Sequence, residues 1–223
     1  MDLNQILLSV IYLLVLAIII LAVYLFVWRL KNRGQITRAL NMSLFLIALP
    51  KKIKKEEGEA QKNQKEIISV MEQLYASLSS IKETKSVFVY GQPHLVFEIA
   101  TPHIGEEISF YLAVPRNYES VIEKQVHGFY PFASVAKIED YNIFNPEGAV
   151  AAAYLKTAFS YILPFKTYQN LETDPLNEIT NTLSKLEEKG EGAAIQMVIR
   201  PSRAKWQGPG FKIAKEMQKG KSF

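Results

Sequence analysis

The hydrophobic pattern of the chain opens with an unbroken apolar block. Residues 6–28 contain no charged side chain, and Ser9 is their one hydroxyl besides the tyrosines. A helix rises about 1.5 Å per residue, so the block would extend roughly 35 Å and cross a hydrocarbon core of about 30 Å. A signal peptide would have a basic start and a small-residue cleavage site, whereas only Asp2 is charged before this block and no such site follows. The block therefore predicts a membrane anchor.

A second, shorter apolar run follows at residues 42–49. It has eight residues and ends at Pro50 and two lysines, so it is too short to span a bilayer but has the length of a buried strand. The alternative is a helix lying in the membrane interface. Such a helix needs a charged face, and residues 38–49 offer only Arg38, Asn41 and Ser43 as polar groups. We predict a strand.

The next segments alternate between helical and strand periodicity. Residues 51–66 are charged and predict a loop or a frayed helix start. Apolar residues then recur at spacings of four and three, which predicts a helix that covers a sheet. Two runs of alternating apolar residues, "HLVFEIATP" and "EEISFYLAVP", predict strands joined by the hairpin loop "TPHIGEE". The helical positions are Ile67, Met71, Leu74, Leu78 and Ile81, and the strand positions are Leu95, Phe97, Ile99, Ile108, Phe110, Leu112 and Val114.

A second helix and a fourth strand complete the first unit. Asn117 is expected to cap a helix that ends at Gly128, and "ASVAKIED" predicts a weak strand. Together with the strand at 42–49, the order is βαββαβ, the ferredoxin-like arrangement in which two helices cover one face of a four-stranded sheet.

The remaining chain predicts a further β-α-β unit and a tail. Residues 149–168 suggest a strand ended by Pro164, Asp174 and Pro175 start a helix that Gly190 stops, and "AAIQMVIRP" is a strand. This unit is either half a domain or two elements added to the first sheet. The predicted class is α+β. Its parts are an anchor at 1–35, a ferredoxin-like domain at 36–141, the second unit at 142–202, and a basic tail or linker at 203–223.

The distribution of charge around the apolar block predicts its orientation in the membrane. No Lys or Arg precedes the apolar block, whereas Arg29, Lys31, Arg33 and Arg38 follow it. The positive-inside rule then places the N-terminus outside and the soluble part in the cytoplasm, so that the protein would cross the inner (cytoplasmic) membrane once. The absence of cysteine agrees with a reducing compartment.

The net charge of +4 lies mainly in the tail, where residues 200–223 hold seven basic residues and one acidic residue. Such a tail can contact anionic lipid or DNA phosphates, or act as a linker. We favour the linker.

Candidate chemistry is sparse, and we predict no catalytic, cofactor-binding or metal-binding residue. The end of the chain, Gly220-Lys221-Ser222, resembles a phosphate loop, but Lys215 stands where its first glycine belongs. RNA binding through strand aromatics is disfavoured by the acidic residues among them. The other residues considered were His94, His103 and His127, which lack metal-ligand spacing, the pairs Glu106-Glu107 and Glu187-Glu188, and the aromatics Phe97, Phe110 and Tyr111 beside Glu98.

Several blocks together resemble a known kind of protein. They are "RALNMSLFLIALPK", "MEQLYASLSSI", "PHLVFEIA", "ISFYLAVPR", "YPFASVAKIEDY", "LPFKTY" and "DPLNEITNTLSKLEEKGEGAAIQMVIRP". Over residues 38–206 the chain resembles the N-terminal part of membrane-anchored proteins from small-genome bacteria. These are similar to type IV secretion or conjugative DNA-transfer ATPases of the HerA–FtsK class.

The resemblance implies a non-catalytic membrane-anchoring and assembly module. The motor domain is expected downstream, and this chain ends before it, so no ATPase residue can be assigned here. The implied partners are the lipid bilayer and either further copies of the chain or other secretion-system subunits, with DNA contacted only indirectly. The alternative is a pilus or secretion-platform protein with an extracytoplasmic ferredoxin-like domain, which would need basic residues before its span.

Overall fold

The computed structural model describes residues 3–50, 64–85, 87–102, 107–163, 165–170, 175–186, 191–202 and 204–221. The structure is mixed α+β, with one long apolar helix near the N-terminus and a five-stranded sheet. The helices are α1 (Leu3–Leu40), α2 (Gln64–Ser77), α3 (Val87–Tyr90), α4 (Glu119–Phe129), α5 (Pro175–Leu183) and α6 (Gln207–Gln218). The strands are β1 (Met42–Ala48), β2 (Leu95–Thr101), β3 (Ser109–Pro115), β4 (Ser134–Ile138) and β5 (Ala193–Ile199).

The helix α1 is longer than the predicted membrane span. It has 38 residues and runs on for three turns beyond Trp28, because its sequence has no proline and its first glycine is Gly34. The backbone N–H of Asn41 donates to Thr37 O at 3.1 Å and closes the last turn. The predicted anchor boundary at residue 35 therefore falls inside the helix.

The apolar run after α1 is a strand, as predicted. Strand β1 alternates, with Ser43 and Phe45 buried and their neighbours partly exposed. It pairs antiparallel with β4, so that Phe45 lies opposite Lys137. Alternation with a period of two is what a strand with one covered face requires, and an interfacial helix would not produce it.

The sheet has the strand order β4-β1-β3-β2-β5. Antiparallel pairing joins β2 to β3 and β2 to β5. The strand predicted in "AAIQMVIRP" is confirmed as β5, and it adds to the edge of the first sheet beside β2. Of the two alternatives for the second unit, the structure therefore favours elements added to one sheet.

The core lies between this sheet and the helices α2 and α4. A 3₁₀ turn, Leu78–Ile81, continues the apolar stripe of α2 after its α-helical part ends. Each fully buried aliphatic side chain contributes about 1.5–3 kcal/mol through removal of its surface from water. The buried residues are Phe45, Leu74, Leu78, Ile81, Leu95, Leu112, Val114, Ile122, Val126 and Ala133.

Two local predictions need correction. Asn117 is not an N-cap, because a 3₁₀ turn at Arg116–Tyr118 precedes α4 and no side chain caps the helix. No strand forms in the described part of 149–168, where residues 151–157 have irregular backbone. Most of the tail is helical, as α6, and its role as a linker stays a prediction. The caps predicted at Asp174 and Gly190 and the loop at 103–106 lie outside the described residues.

The chain divides into two compact units. One consists of residues 1–42 and 82–93, and the other of residues 43–81 and 94–223. The first contains α1 and α3, and the second contains the sheet with its helices. Each unit is described separately below.

Candidate functional site

The most prominent surface of the molecule is the apolar part of α1. Between Leu7 and Phe26 the exposed fraction of the large apolar side chains runs from 47% at Ile11 to 70% at Tyr12. Apolar residues cover the helix on all sides, which is typical of a membrane span and not of a helix that covers a core. Within the described residues, α1 is the one helix long and apolar enough to cross a membrane.

The end of α1 after Trp28 differs because another segment of the chain packs on it. The short helix α3 contacts residues 29–40 of α1, and the closest approach is at Gly34. A Cβ at Gly34 would lie 2.7 Å from the carbonyl oxygen of Val89. Only a glycine permits this distance, so the two backbones are in direct contact. We call residues 29–40 together with residues 82–93 the juxtamembrane cluster.

Arg38 organises this cluster. Its Nη1 donates to the carbonyl oxygen of Gly91 at 2.8 Å, and its Nη2 donates to the carboxylate of Glu83. The guanidinium also lies 5.6 Å from the ring centre of Tyr90, within cation–π range. Gly91 has a φ of +71°, a conformation that glycine adopts without strain. Arg38 thus fixes both ends of the loop that carries α3.

Two further contacts complete the loop. Glu83 N–H donates to the side-chain Oε1 of Gln92 at 3.1 Å, and Gln92 Nε2 donates back to Glu83 O at 2.9 Å. The Nζ of Lys31 lies 4.2 Å from the ring centre of Phe88. The loop is therefore closed at its base by polar contacts, while Phe88 contacts a cation on α1.

The residues considered for metal chemistry lie in separate parts of the chain where the structure describes them. His94 precedes β2 and His127 lies in the last turn of α4. The described residues contain no group of three or more side chains able to hold a metal ion. His103, Glu106, Glu187 and Glu188 lie outside the described residues, and Glu107 is exposed.

The chain end does not resemble a phosphate loop in structure either. Gly220 follows α6 with a φ of +83°, and a helix precedes it where a phosphate loop requires a strand. The Nζ of Lys221 forms an ion pair with the carboxylate of Glu216, on α6, at 2.6 Å.

The strand aromatics serve mainly in packing. Phe97 meets Tyr75 edge-to-face with ring centres 4.9 Å apart, and it packs against the core. Tyr111 is buried and stacks on Tyr141 at 4.6 Å. Phe110 is the exception, because almost half of its surface is exposed.

A buried carboxylate, Glu98, is the polar group that sequence patterns did not single out. It lies on β2 opposite Tyr111 of β3 and Gln196 of β5, and Gln196 Nε2 donates to it at 3.0 Å. Burial raises the pKa of the neighbouring Tyr141 phenol, and Glu98 raises it further. Glu98 thus interacts with Gln196 across the pairing of β2 with β5 and with the phenol of Tyr141.

A small cavity of about 190 Å³ lies in the sheet unit. Its walls come from α2, the following 3₁₀ turn, β2 and the end of β5, and they are mostly apolar. Arg200 is its one charged lining residue, and the hydroxyl-bearing residues Ser79 and Ser202 also line it.

The segment 149–163, which we call the apolar arm, exposes large hydrophobic side chains without forming a helix or strand. Leu155 is 100% exposed. Contiguous apolar surface of this kind is rare on isolated soluble domains and marks interaction sites. The exposed residues are Val150, Tyr154, Leu155, Phe159, Tyr161 and Leu163.

Comparison with known proteins gives one family and no relative of established activity. The sequence profile described as Domain of unknown function (DUF8128) matches residues 59–219, more than half of the chain. No curated protein and no solved structure matches.

Proposed function

The chain belongs to the DUF8128 family, and we propose that it is a non-catalytic membrane-anchoring and assembly module of a type IV secretion or conjugative DNA-transfer ATPase. The observation that carries the proposal is α1, a helix with no charged residue between residues 6 and 28 and with its apolar side chains uncovered. A span of this kind tethers whatever follows it to a bilayer.

The backbone of α1 is suited to a lipid environment. An α-helix satisfies its N–H and C=O groups internally, which hydrocarbon demands of any segment that crosses it. The one hydroxyl of the span besides its tyrosines, at Ser9, donates back to Gln5 O at 2.8 Å. Tyr24 and Trp28 lie near the end of the apolar run, where amphipathic rings favour the interface.

We propose that the N-terminus lies outside the inner membrane and the remainder of the chain in the cytoplasm. The support is the charge asymmetry, since four basic residues follow the span within ten positions and none precedes it. The alternative, a secretion-platform protein with an extracytoplasmic domain, requires the reverse asymmetry.

The soluble part is proposed to be a ferredoxin-like unit extended by one strand. Its first four strands have the spatial order β4-β1-β3-β2, and α2 and α4 follow β1 and β3 in the chain, as the split βαβ arrangement requires. The added strand β5 covers the outer edge of β2.

The apolar arm supports an assembly role. Its backbone is irregular, so lipid cannot solvate it, and its exposed side chains are better buried by protein. We propose that copies of this chain associate through the arm, as an anchor for an oligomeric motor would require. DNA transfer itself is suggested only by the sequence resemblance, and no nucleotide-binding residue is proposed.

The orientation is tested with reporters fused after Phe223 in the full chain. A fluorescent protein that matures only in the cytoplasm should be bright, and alkaline phosphatase should be inactive. A matched variant with Asn4→Lys and Gln5→Lys, together with Arg29→Gln, Lys31→Gln and Arg33→Gln, should reverse both signals. Phosphatase activity from the unaltered chain would overturn the orientation and favour the secretion-platform alternative.

The non-catalytic part is tested separately by calorimetry. The purified full chain in detergent should release or absorb no saturable heat on titration with Mg-ATP. Saturable binding of Mg-ATP would contradict the non-catalytic part of the proposal and would leave the membrane anchor untouched.

A further inference from the structure

We propose that the juxtamembrane cluster forms a second contact with the bilayer, in which Lys85 and Phe88 enter a headgroup layer that contains anionic lipid. The proposal rests on the proposed function in one respect, that α1 spans a membrane.

The position of the loop along α1 supports this contact. Lys31, which meets Phe88, follows Trp28 by three residues, or about 4.5 Å of helix. The headgroup layer extends roughly 5–8 Å beyond each side of the hydrocarbon core. If the core ends near Trp28, Phe88 lies within the headgroup layer.

The loop presents its tip to that layer. Arg38 binds Glu83 and Gly91, the two ends of the loop, seven residues further from the bilayer than Lys31. Because Phe88 lies at the level of Lys31, it is nearer to the end of the apolar run than the two ends of the loop are. We call Phe88 and Lys85, which precedes it by three residues, the tip of the loop.

The chemistry of the tip matches anionic headgroups. Phe88 is 63% exposed, and Lys85 is also exposed. The one acidic residue of 82–93 is Glu83, which is paired with Arg38 at the far end. An apolar ring beside a cation is typical of segments that bind the interface of anionic membranes. Lys31 is the basic side chain of α1 that lies beside the ring, whereas Arg29 and Arg33 are exposed on the opposite face of the helix.

The test uses the full chain, which contains no cysteine, so single cysteines can be introduced and labelled with a nitroxide. Ile18→Cys reports the span and Phe88→Cys reports the tip, in vesicles of phosphatidylcholine with or without phosphatidylglycerol. The depth of each label follows from its accessibility to oxygen and to a water-soluble nickel complex. We expect the Ile18 label at the bilayer centre in both vesicles, and the Phe88 label at headgroup depth when phosphatidylglycerol is present.

Charge and positioning are tested by two further changes. Replacing Lys85 by Gln should lower the ratio of membrane-bound to free tip about fivefold, since each cation near an anionic surface is worth about 1 kcal/mol. Arg38→Ala should release the loop and return the Phe88 label to water. Because the label replaces the ring, Phe88→Trp with Trp28→Phe and Trp206→Phe should also show quenching by lipids brominated near the headgroup.

The outcomes separate the two proposals. A protected Ile18 label with a Phe88 label and tryptophan fully in water, in both kinds of vesicle, would overturn the second contact and leave the anchor intact. A water-exposed Ile18 label would overturn the anchor itself. A tip that remains at headgroup depth in Arg38→Ala would show that the cluster does not position it, and would also overturn the inference.

Discussion

Two regions of the molecule expose large apolar side chains, α1 and the apolar arm, and they differ in the state of their backbone. In α1 every backbone group between the first and the last turn bonds within the helix. In the arm, residues 151–157 have no regular structure. The same kinds of side chain, Leu, Ile, Tyr and Phe, are present in both.

This difference in the backbone indicates whether lipid or protein is the more favourable surrounding for each region. Hydrocarbon accepts apolar side chains but not unpaired N–H and C=O groups, each of which costs several kcal/mol there. The helix is therefore compatible with lipid. The backbone of the arm needs water or another hydrogen-bonding partner, whereas its apolar side chains are best buried against protein. Exposed hydrophobicity alone does not distinguish a membrane span from a protein interface, but an irregular backbone excludes contact with the hydrocarbon.

The largest expected effect comes from charging α1. Leu14→Arg combined with Ile18→Arg should abolish stable insertion, because each arginine near the centre of a span costs about 2.5–3.5 kcal/mol. Resistance to alkaline extraction from membranes measures the loss. Thr37→Arg, on the same helix but beyond the apolar run, is the control and should extract like the unaltered chain. Retention of the double variant in the membrane would contradict a lipid-exposed span.

A core substitution tests whether the sheet unit is stabilised independently of lipid. Leu112 is 1% exposed, and Leu112→Ala should lower the free energy of unfolding by about 2–5 kcal/mol through lost burial and the cavity left behind. Urea denaturation of the full chain in detergent, followed by near-ultraviolet circular dichroism, measures it. Ile195→Ala, at an exposed position of β5, should cost less than about 1 kcal/mol. Equal losses of the free energy of unfolding at both positions would mean that Leu112 does not belong to the core.

The arm should affect association and leave folding unchanged. Leu155→Asp with Phe159→Asp removes two exposed apolar side chains, which at an interface would each cost about 1–4 kcal/mol of binding. Sedimentation in detergent should show a shift from oligomer to monomer, while the urea midpoint stays the same. The control is Val121→Asp, an exposed apolar position on α4. An unaltered chain that is already monomeric would exclude self-association through the arm.

The sequence predicted the elements whose side chains repeat with a clear period. Strand β1 was predicted because its run is too short for a span and lacks the charged face of an interfacial helix, and α2 was predicted because its apolar stripe continues for about two heptads. Strand β5 was found for the same reason, but its place beside β2 depends on a pairing distant in sequence, which periodicity does not contain.

The misses share a physical cause, the dependence of local structure on distant contacts. The loop that carries α3 is held by Arg38, 45 residues before Glu83, so "VFVY" alone gives no signal of it. Residues 149–168 are rich in β-formers, yet strand propensity needs a neighbouring edge to pair with. The buried Glu98 looks like an outward strand position, because its neighbours Gln196 and Tyr141 come from distant parts of the chain. A carboxylate flanked by apolar residues on a predicted strand was the one available hint.

The smallest expected effect is a pH dependence at Glu119, where α4 meets β1 and β4. A hydrogen bond from Ser43 and two from Lys137 Nζ, at 2.9 and 3.0 Å, hold the pKa of the Glu119 carboxyl below its usual value. A pKa depressed by folding contributes stability that is present above the unfolded value of about 4.5 and is lost as the pH falls through the folded value.

The free energy of unfolding of the unaltered chain should therefore fall more steeply on acidification than that of Glu119→Gln, and the two should converge at low pH. The effect should be small because the carboxylate is partly exposed and exposed ion pairs contribute little. Urea midpoints between neutral and acid pH measure it, and Glu123→Gln, on the same helix, is the control. Parallel curves for Glu119→Gln and the unaltered chain would mean that the contact with Ser43 and Lys137 has no influence on folding.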